Sequence, residues 1–400
     1  MNANSLHRAL SAICLLGHVA AVSAAETPRT GGSFTVGVET EPNTFNPQLN
    51  GQAKADVTLR NVWESLLARQ PDGSFVPWLA QRYQASADGS QYRFTLRRDV
   101  LFSNGEKLDA QAVAENFRHT QDARYCAGTS LCMMGARINS IETPDDFTVV
   151  INLKQGYTPF LSFAAALEIL APASWRSAQH KSGGKEIAGT GPFILDSYEK
   201  GLQVTFVRNP NYRWAPATAK HQGPAYLERV TYRFLPESSV RTGALLSGQV
   251  DAIEGISGND ASEFKDNGDF SYQHALNTGT PYSLFLNVEY GPTQDVRVRQ
   301  ALLQGLEIDP LLKSVYRGER TRAWGITSPV DPLYDKALEG KYGNQPDAAN
   351  RLLDEAGWAT RDSEGFRSKA GQRLSIEVIQ AQATVRDQRD VLLQAIQAQA

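Results

Sequence analysis

Apolar and polar positions alternate with period two through Ser33–Val38, and Glu41-Pro42-Asn43 then breaks the alternation before an apolar-rich stretch, 57–67, whose spacing predicts a helix. Two clean period-two runs follow. Tyr92, Phe94 and Leu96 alternate with Arg93, Thr95 and Arg97, and Phe147, Val149, Ile151 and Leu153 form a second set, so each is read as a strand with one buried face. Between them Asp109 is placed to cap a helix carrying Val113 and Phe117 on one side. Further on, Leu202, Val204 and Phe206 alternate after the turn residues Glu199-Lys200-Gly201, which predicts a hairpin over 194–208, with another strand at 230–234. Helical spacing dominates the last third: Asp295 opens a helix with Val298, Ala301 and Leu302, Asp309-Pro310 caps a second that Gly318 ends, and a third follows Pro346 and stops at Gly357. The pattern is mixed α and β.

Length changes the picture first. A chain of 400 residues exceeds what one ordinary core organises, so at least two lobes are expected. The net charge of −3, with no long block of one sign, argues against a nucleic-acid partner. Residues 1–25 read as a signal peptide: Arg8 precedes an apolar run over 9–21, and Ser23, Ala24 and Ala25 suit cleavage. That predicts export, to the periplasm. Cys14 does not read as a lipidation site, because Ile13 stands where a small residue is needed. The mature chain then holds Cys126 and Cys132 alone, an even count across a Gly- and Ser-containing stretch, which favours a disulfide; two buried thiols are the alternative, and no His lies at ligand spacing for a metal.

Five ordered motifs carry a resemblance. They are Glu41-Pro42-Asn43-Thr44-Phe45-Asn46-Pro47 with Asn61-Val62-Trp63-Glu64-Ser65-Leu66-Leu67; Leu101-Phe102-Ser103-Asn104-Gly105-Glu106; Gly189-Thr190-Gly191-Pro192-Phe193 running to Arg208-Asn209-Pro210-Asn211-Tyr212; Asn287 with Asp295-Val296-Arg297-Val298-Arg299; and the stretch 348–357. Together they resemble the extracellular solute-binding proteins of family 5, which serve peptide and nickel ABC importers. Arg213, between Tyr212 and Trp214, is a departure from the family pattern.

The resemblance implies an α/β, two-lobed periplasmic-binding-protein fold with an inserted subdomain. Lobe I would occupy 26–277 with the insertion at 51–182, and lobe II would occupy 278–400 as its N-terminal part only, the C-terminal part of the second lobe being missing. It implies a monomer that captures a peptide or related small solute between the lobes and hands it to an ABC permease, without a cofactor. The residues read as lining the cleft are Asn50, Gly51 and Gln52 of the opening loop, Tyr282 and Phe285 on the first strand of lobe II, and Thr384 and Arg386 near the end, where Arg386 would hold a ligand carboxylate.

Other chemistry is poorly supported. Gly189-Thr190-Gly191-Pro192 lacks the Lys-Ser/Thr of a phosphate loop and reads as a scaffold turn, and Arg297 and Arg299 read as solvated charges of a capped helix rather than an anion site. No HxxxH or CxxC occurs, so metal catalysis has no ligand set. Gly255-Ile256-Ser257-Gly258 misses the final glycine position of a serine-hydrolase elbow. The alternatives are a nickel-chelate or opine binder, an exported hydrolase, and a sensor domain for a partner protein.

Overall fold

The computed structural model describes residues 28–126, 129–380 and 387–400; the leader read at 1–25 lies outside them. Strand β1 (Ser33–Val38) is followed by a short helix at Asp56–Leu59. The helix expected over 57–67 stops there. Its continuation is impossible because the carbonyls that would accept helical bonds are taken from elsewhere: Val62 O accepts from Gly191 N at 2.8 Å, Asn61 O from Phe193 N at 3.0 Å and Glu64 O from Ile169 N at 2.8 Å. Leu67 instead opens β2 (Leu67–Arg69), paired with β3 (Phe75–Pro77).

Strands β4 (Ala80–Ala85), β5 (Gln91–Leu96), β6 (Ile138–Asp145) and β7 (Thr148–Leu153) form a four-stranded antiparallel sheet in the order β4-β5-β7-β6. The alternation in β5 does what it predicts: Tyr92, Phe94 and Leu96 are buried and Gln91 and Arg93 face water. In β7 the one-face expectation fails, since Thr148, Val149, Val150 and Ile151 are all buried; the run is covered on both sides, and Phe147 precedes the strand. Burying each such Phe, Val or Leu contributes roughly 1.5–3 kcal/mol. The helix Ala110–His119 packs Val113 and Phe117 into this core, and Asp109 caps it by accepting from Ala112 N at 2.8 Å.

The chain then returns to the first sheet. Strands β8 (Phe193–Glu199) and β9 (Gln203–Arg208) make the expected hairpin, turned at Gly201 with φ +74, although Leu202 is exposed rather than part of the strand. They join β10 (Arg229–Phe234) and β11 (Ala252–Ile253) in a five-stranded sheet of order β11-β1-β10-β9-β8. Strand β1 runs parallel to both of its neighbours, β10 and β11, while β8, β9 and β10 are antiparallel. The two sheets therefore belong to different stretches of chain, with 67–153 lying between β1 and its partners.

Beyond residue 290 helices Val296–Gly305, Ile308–Tyr316, Pro346–Glu355 and Arg389–Gln399 dominate, with a small three-stranded sheet over 360–373. Asp295 caps its helix as expected. Asp309 does not: the helix begins at Ile308 after Glu307, and Asp309 sits in its first turn as the partner of Arg322 at 3.1 Å. The strand expected around Tyr282 and Phe285 is not formed. Residues 271–288 have no regular structure, and no strand among the described residues is hydrogen-bonded to them, so Tyr282 is left 42% exposed and Phe285 89% exposed.

Candidate functional site

Parallel strands that end side by side bring their following loops together, and open α/β sheets bind ligands at that carboxyl edge. Glu39 follows β1, Leu235 and Pro236 follow β10, and Glu254 and Gly255 follow β11. Arg241, on the helix Ser238–Leu246, ties these ends together. Its Nη1 donates to Leu235 O at 2.5 Å and Pro236 O at 2.6 Å, and its Nη2 donates to Gly255 O at 2.6 Å. It is 3% exposed, and its Nε, also buried, has no hydrogen-bond partner among the described residues. Burial pulls this guanidinium below its ordinary pKa against the opposing pull of Glu39 and Glu254, and burial likewise pushes Glu254 up.

Lys54, on the short turn Ala53–Ala55, reaches the same edge. Its Nζ donates to Glu39 Oε2 and, at 3.0 Å, to Asp387 Oδ1. Asp387 stands just before the last helix and is approached by Arg320 at 3.8 Å and Arg389 at 3.7 Å. Arg389 in turn lies 4.4 Å above the Tyr282 ring. Burial would raise Asp387, but Lys54, Arg320 and Arg389 outweigh it and hold the carboxyl below its ordinary range. Among the described residues the cations Lys54, Arg241, Arg320 and Arg389 thus converge with the carboxylates Glu39, Glu237, Glu254 and Asp387 where the first sheet meets the C-terminal segment.

The residues expected in the cleft from sequence fare unevenly. Asn50 and Gln52 lie beside Lys54, but their side chains hold the loop: Asn50 Nδ2 donates to Thr44 O at 3.0 Å, and Gln52 Oε1 accepts from Asn43 N at 2.6 Å. Gly51 is exposed between them. Tyr282 reaches the site through Arg389, whereas Phe285 faces water. Thr384 and Arg386 lie outside the described residues. The charged residues the structure gathers, Glu39, Lys54, Arg241, Glu254, Arg320, Asp387 and Arg389, were missed because each reads singly as an ordinary surface charge. The one available signal was position: Glu39 and Glu254 each follow a strand directly.

The motifs have a different use. Glu64, fully buried, receives Tyr212 Oη at 2.6 Å on one carboxylate oxygen, and Thr190 Oγ1 at 2.8 Å and Trp214 Nε1 at 3.0 Å on the other. Burial pushes it up to about 8, against the pull of these donors. Glu41 likewise anchors the hairpin by accepting from Tyr198 Oη and Gly201 N at 2.5 and 2.8 Å. Gly189 and Gly191 are required by close approach: a Cβ on either would stand 2.1 or 2.6 Å from a backbone oxygen of Val62 or Asn61. This is tighter than the turn role read from sequence. Arg297 pairs with Asp295 at 2.6 Å and also donates to Glu355 O at the end of the helix Pro346–Glu355, and Arg299 donates to Thr293 O and Gln294 O, so both hold local structure. Ser257 caps the helix Gly258–Lys265, with its Oγ against Asp260. Cys126 and Cys132 are joined by a disulfide with Cα atoms 5.3 Å apart.

Among the described residues no three His, Cys, Asp or Glu side chains gather as a metal-holding group, and no helix is long and apolar enough to cross a membrane. A shallow depression of about 370 Å³ on β4 and β5, lined by Gln84, Ser86 and Arg93, brings together no reactive groups.

Comparison with known proteins bears on the family and the fold. A family model described as bacterial extracellular solute-binding proteins, family 5 Middle, matches residues 74–400. The nickel-binding periplasmic protein of Escherichia coli strain K12 is 32% identical over 324 residues, covering 79% of this chain and 60% of that protein. The chain thus spans about three-fifths of the length of that relative. NikA from Brucella suis, solved in complex with Fe(III)-EDTA, superposes with a TM-score of 0.73 at 28% identity, over 92% of this chain and 72% of that one. The periplasmic binding protein DppA from Helicobacter pylori, solved with the peptide STSA, gives a TM-score of 0.72 at 24% identity over 84% and 68% of the two chains, a likeness of fold.

Proposed function

Because the chain belongs to the bacterial extracellular solute-binding proteins of family 5, we propose that it is the periplasmic solute-binding component of an ABC importer. It captures a peptide or related carboxylate-bearing solute between two lobes and delivers it, as a monomer, to a permease. The observation that carries this reading is the cluster of charges at the carboxyl edge of β1, β10 and β11, where buried Arg241 and the cations Lys54, Arg320 and Arg389 face the meeting of sheet and C-terminal segment. An anionic group desolvated there gains charge-assisted hydrogen bonds that water would otherwise weaken.

The lobes are proposed as 26–277, with 51–182 inserted, and 278–400. Supporting this division, β1 pairs with strands after residue 193, while the strands between 67 and 153 make sheets of their own. Lys54 and Asp387, which meet at 3.0 Å, would lie on opposite sides of this division, and closure about the connections between lobes would present the closed face to the permease. Catalysis has no place in this scheme.

The second reading, a nickel-chelate binder, is favoured by the 32% identity to the nickel-binding relative. With no gathered metal ligands among the described residues, the metal would arrive already chelated, and the carboxylates of the chelator would meet the same cations. Thermal melts of residues 26–400 with a di- to pentapeptide pool, and separately with a nickel–histidine complex, decide between them. A ligand at about 100 times its Kd adds roughly 2.7 kcal/mol of stability. A midpoint raised by peptide alone supports the first reading, and one raised by the complex alone supports the second. No response to either removes the solute-binding assignment for this chain.

A further inference from the structure

His119 is the last residue of the helix Ala110–His119, and aromatic side chains from two other stretches enclose its ring. Trp175, on the short helix Pro172–Arg176, stands 3.9 Å from it between ring centroids, and Tyr125, on the turn Ala123–Cys126, stands 4.2 Å from it. Tyr125 also meets Trp175 at 5.5 Å and His180 at 5.7 Å. The Nδ1 of His119 is buried in this packing and has no hydrogen-bond partner among the described residues. The same residues grip the opening loop. Asn116, three positions before His119 and fully buried, accepts on its Oδ1 from Gln48 Nε2 at 2.8 Å and from Trp175 Nε1 at 3.3 Å. Beyond Trp175, His180 O accepts from Asn46 Nδ2 at 2.6 Å, Lys181 O from Thr44 Oγ1 at 2.7 Å, and Ser182 O from Phe45 N at 3.1 Å. The loop held in this way runs on to Lys54.

A neutral imidazole suits this box and an imidazolium does not. Protonation would put an N–H at Nδ1 where no acceptor stands, and a charge among apolar rings. Burial accordingly pulls His119 from 6.5 down to about 4, against the pull of Asp122 and with a further push from His180. Asp122 is itself taken by Arg124 at 2.5 Å, and Glu115, on the same helix as His119 and Arg118, pairs with Arg176 at 3.9 Å. Two effects favour the cation: the carboxyl end of its own helix, and the ring faces of Trp175 and Tyr125. Neither supplies an acceptor for Nδ1.

We propose that His119 is a pH-sensitive latch on the opening loop: neutral, it fills the aromatic box and keeps Trp175 and residues 175–182 on the loop; protonated, it leaves the box and frees the loop that positions Lys54. A group whose pKa is lowered in the latched state binds its proton more tightly once released. The latch is therefore complete above about pH 6.5 and weakens as pH falls toward about 4. Over that window the equilibrium constant for opening rises roughly tenfold per pH unit, about 300-fold in all. The consequence for solute capture, weaker binding in acid, rests on the solute-binding reading; the latch itself does not.

The test uses residues 26–400 without any solute. Histidine Cε1 resonances are followed by NMR from pH 8 down to pH 3.5, and the one lost in His119→Phe is that of His119, expected to titrate near 4. Hydrogen exchange at the amides of Phe45, Asn46 and Gln48, corrected for the intrinsic chemical rate, gives the opening constant of the loop, and the amides of β5 report global unfolding. In the wild type the loop is expected to open ahead of β5 as pH falls, by the factor above; in His119→Phe, which fills the box without titrating, the pH dependence is expected to vanish. His119→Gln replaces it if that variant yields too little folded protein. A His119 pKa at or above about 6.5, a loop that opens only together with β5, or the same pH dependence in the variant each overturns the latch. These outcomes leave the transport reading untouched, and failure of the peptide and nickel–histidine melts at neutral pH sinks that reading with the latch standing.

Discussion

Glu64→Gln isolates the buried carboxyl on which the family motifs converge. In the folded chain burial raises Glu64 from 4.5 to about 8, in opposition to Tyr212, Thr190 and Trp214. A carboxyl whose pKa is raised by folding binds its proton more tightly in the native state. Its contribution is therefore complete below about pH 4.5 and is lost as pH rises through about 8. The difference of about three and a half units corresponds to a ceiling of about 5 kcal/mol between the two ends of that window. Glutamine resembles the protonated acid, keeping a carbonyl for Trp214 and Thr190 and offering an N–H toward Tyr212 Oη. Denaturant unfolding of wild type and Glu64→Gln at pH 5, 7 and 9 measures the effect, and all other titrating groups, including Glu168, cancel in the difference. The variant is expected to match the wild type within about 1.5 kcal/mol at pH 5 and to become the more stable protein by pH 9. If the wild type instead gains on the variant as pH rises, the three donors outweigh burial, Glu64 is ionised in the fold, and the reasoning is refuted.

Gly189→Ala is expected to cost about 3 kcal/mol or more, because its Cβ would lie 2.1 Å from the Val62 carbonyl and neither backbone can yield without breaking the bond from Gly191 N; chemical denaturation checks it, and a loss under about 1 kcal/mol would contradict the close-approach argument. Reducing the Cys126–Cys132 bond, which closes a loop with a sequence separation of 6, should lower stability by about 2 kcal/mol on the chain-entropy estimate, seen as a lower thermal midpoint in dithiothreitol that a Cys126→Ser, Cys132→Ser double variant no longer shows. Gln52→Ala should destabilise by about 1–2 kcal/mol through loss of the bonds to Asn43 N and Glu41 O, and should weaken charged and neutral ligands alike; a loss confined to anionic ligands would return Gln52 to direct contact.

Much of the local structure was legible because periodicity and burial agree. The alternation in β5, the Asp109 and Asp295 caps and the hairpin at Gly201 all depend on neighbours within a few residues. The failure at 57–67 has the opposite origin. Nothing in Val62, Trp63 and Glu64 announces that their carbonyls and side chains will be claimed by residues more than 100 positions away, at 169, 190, 191, 212 and 214. The motif pattern located these residues without saying that they meet. Around Tyr282 and Phe285 alternation alone was insufficient, since a strand forms only when another is present to accept its hydrogen bonds. The charged node was the least legible feature, because Lys54, Arg241 and Arg389 are unremarkable within their own elements and acquire meaning only from the convergence of three distant stretches.

The segment from Glu39 to Glu64 shows why scaffold and site are not separable in this fold. Glu39 contributes a carboxylate to the charged node, and two residues later Glu41 anchors the β8–β9 hairpin. Gln52 and Asn50 fix the loop immediately before Lys54. After Lys54, Asn61 and Val62 give their carbonyls to the stretch containing Gly191, and Glu64 closes the buried node beyond them. Lys54 is thus held on both sides by bonds between its flanking residues and other parts of the chain. A flexible lysine bears a charge that is useful for recognition only when its backbone is fixed, because the cost of ordering its side chain is otherwise charged against binding. The family motifs in this stretch therefore act on the site indirectly, by fixing the position from which Lys54 reaches Glu39 and Asp387.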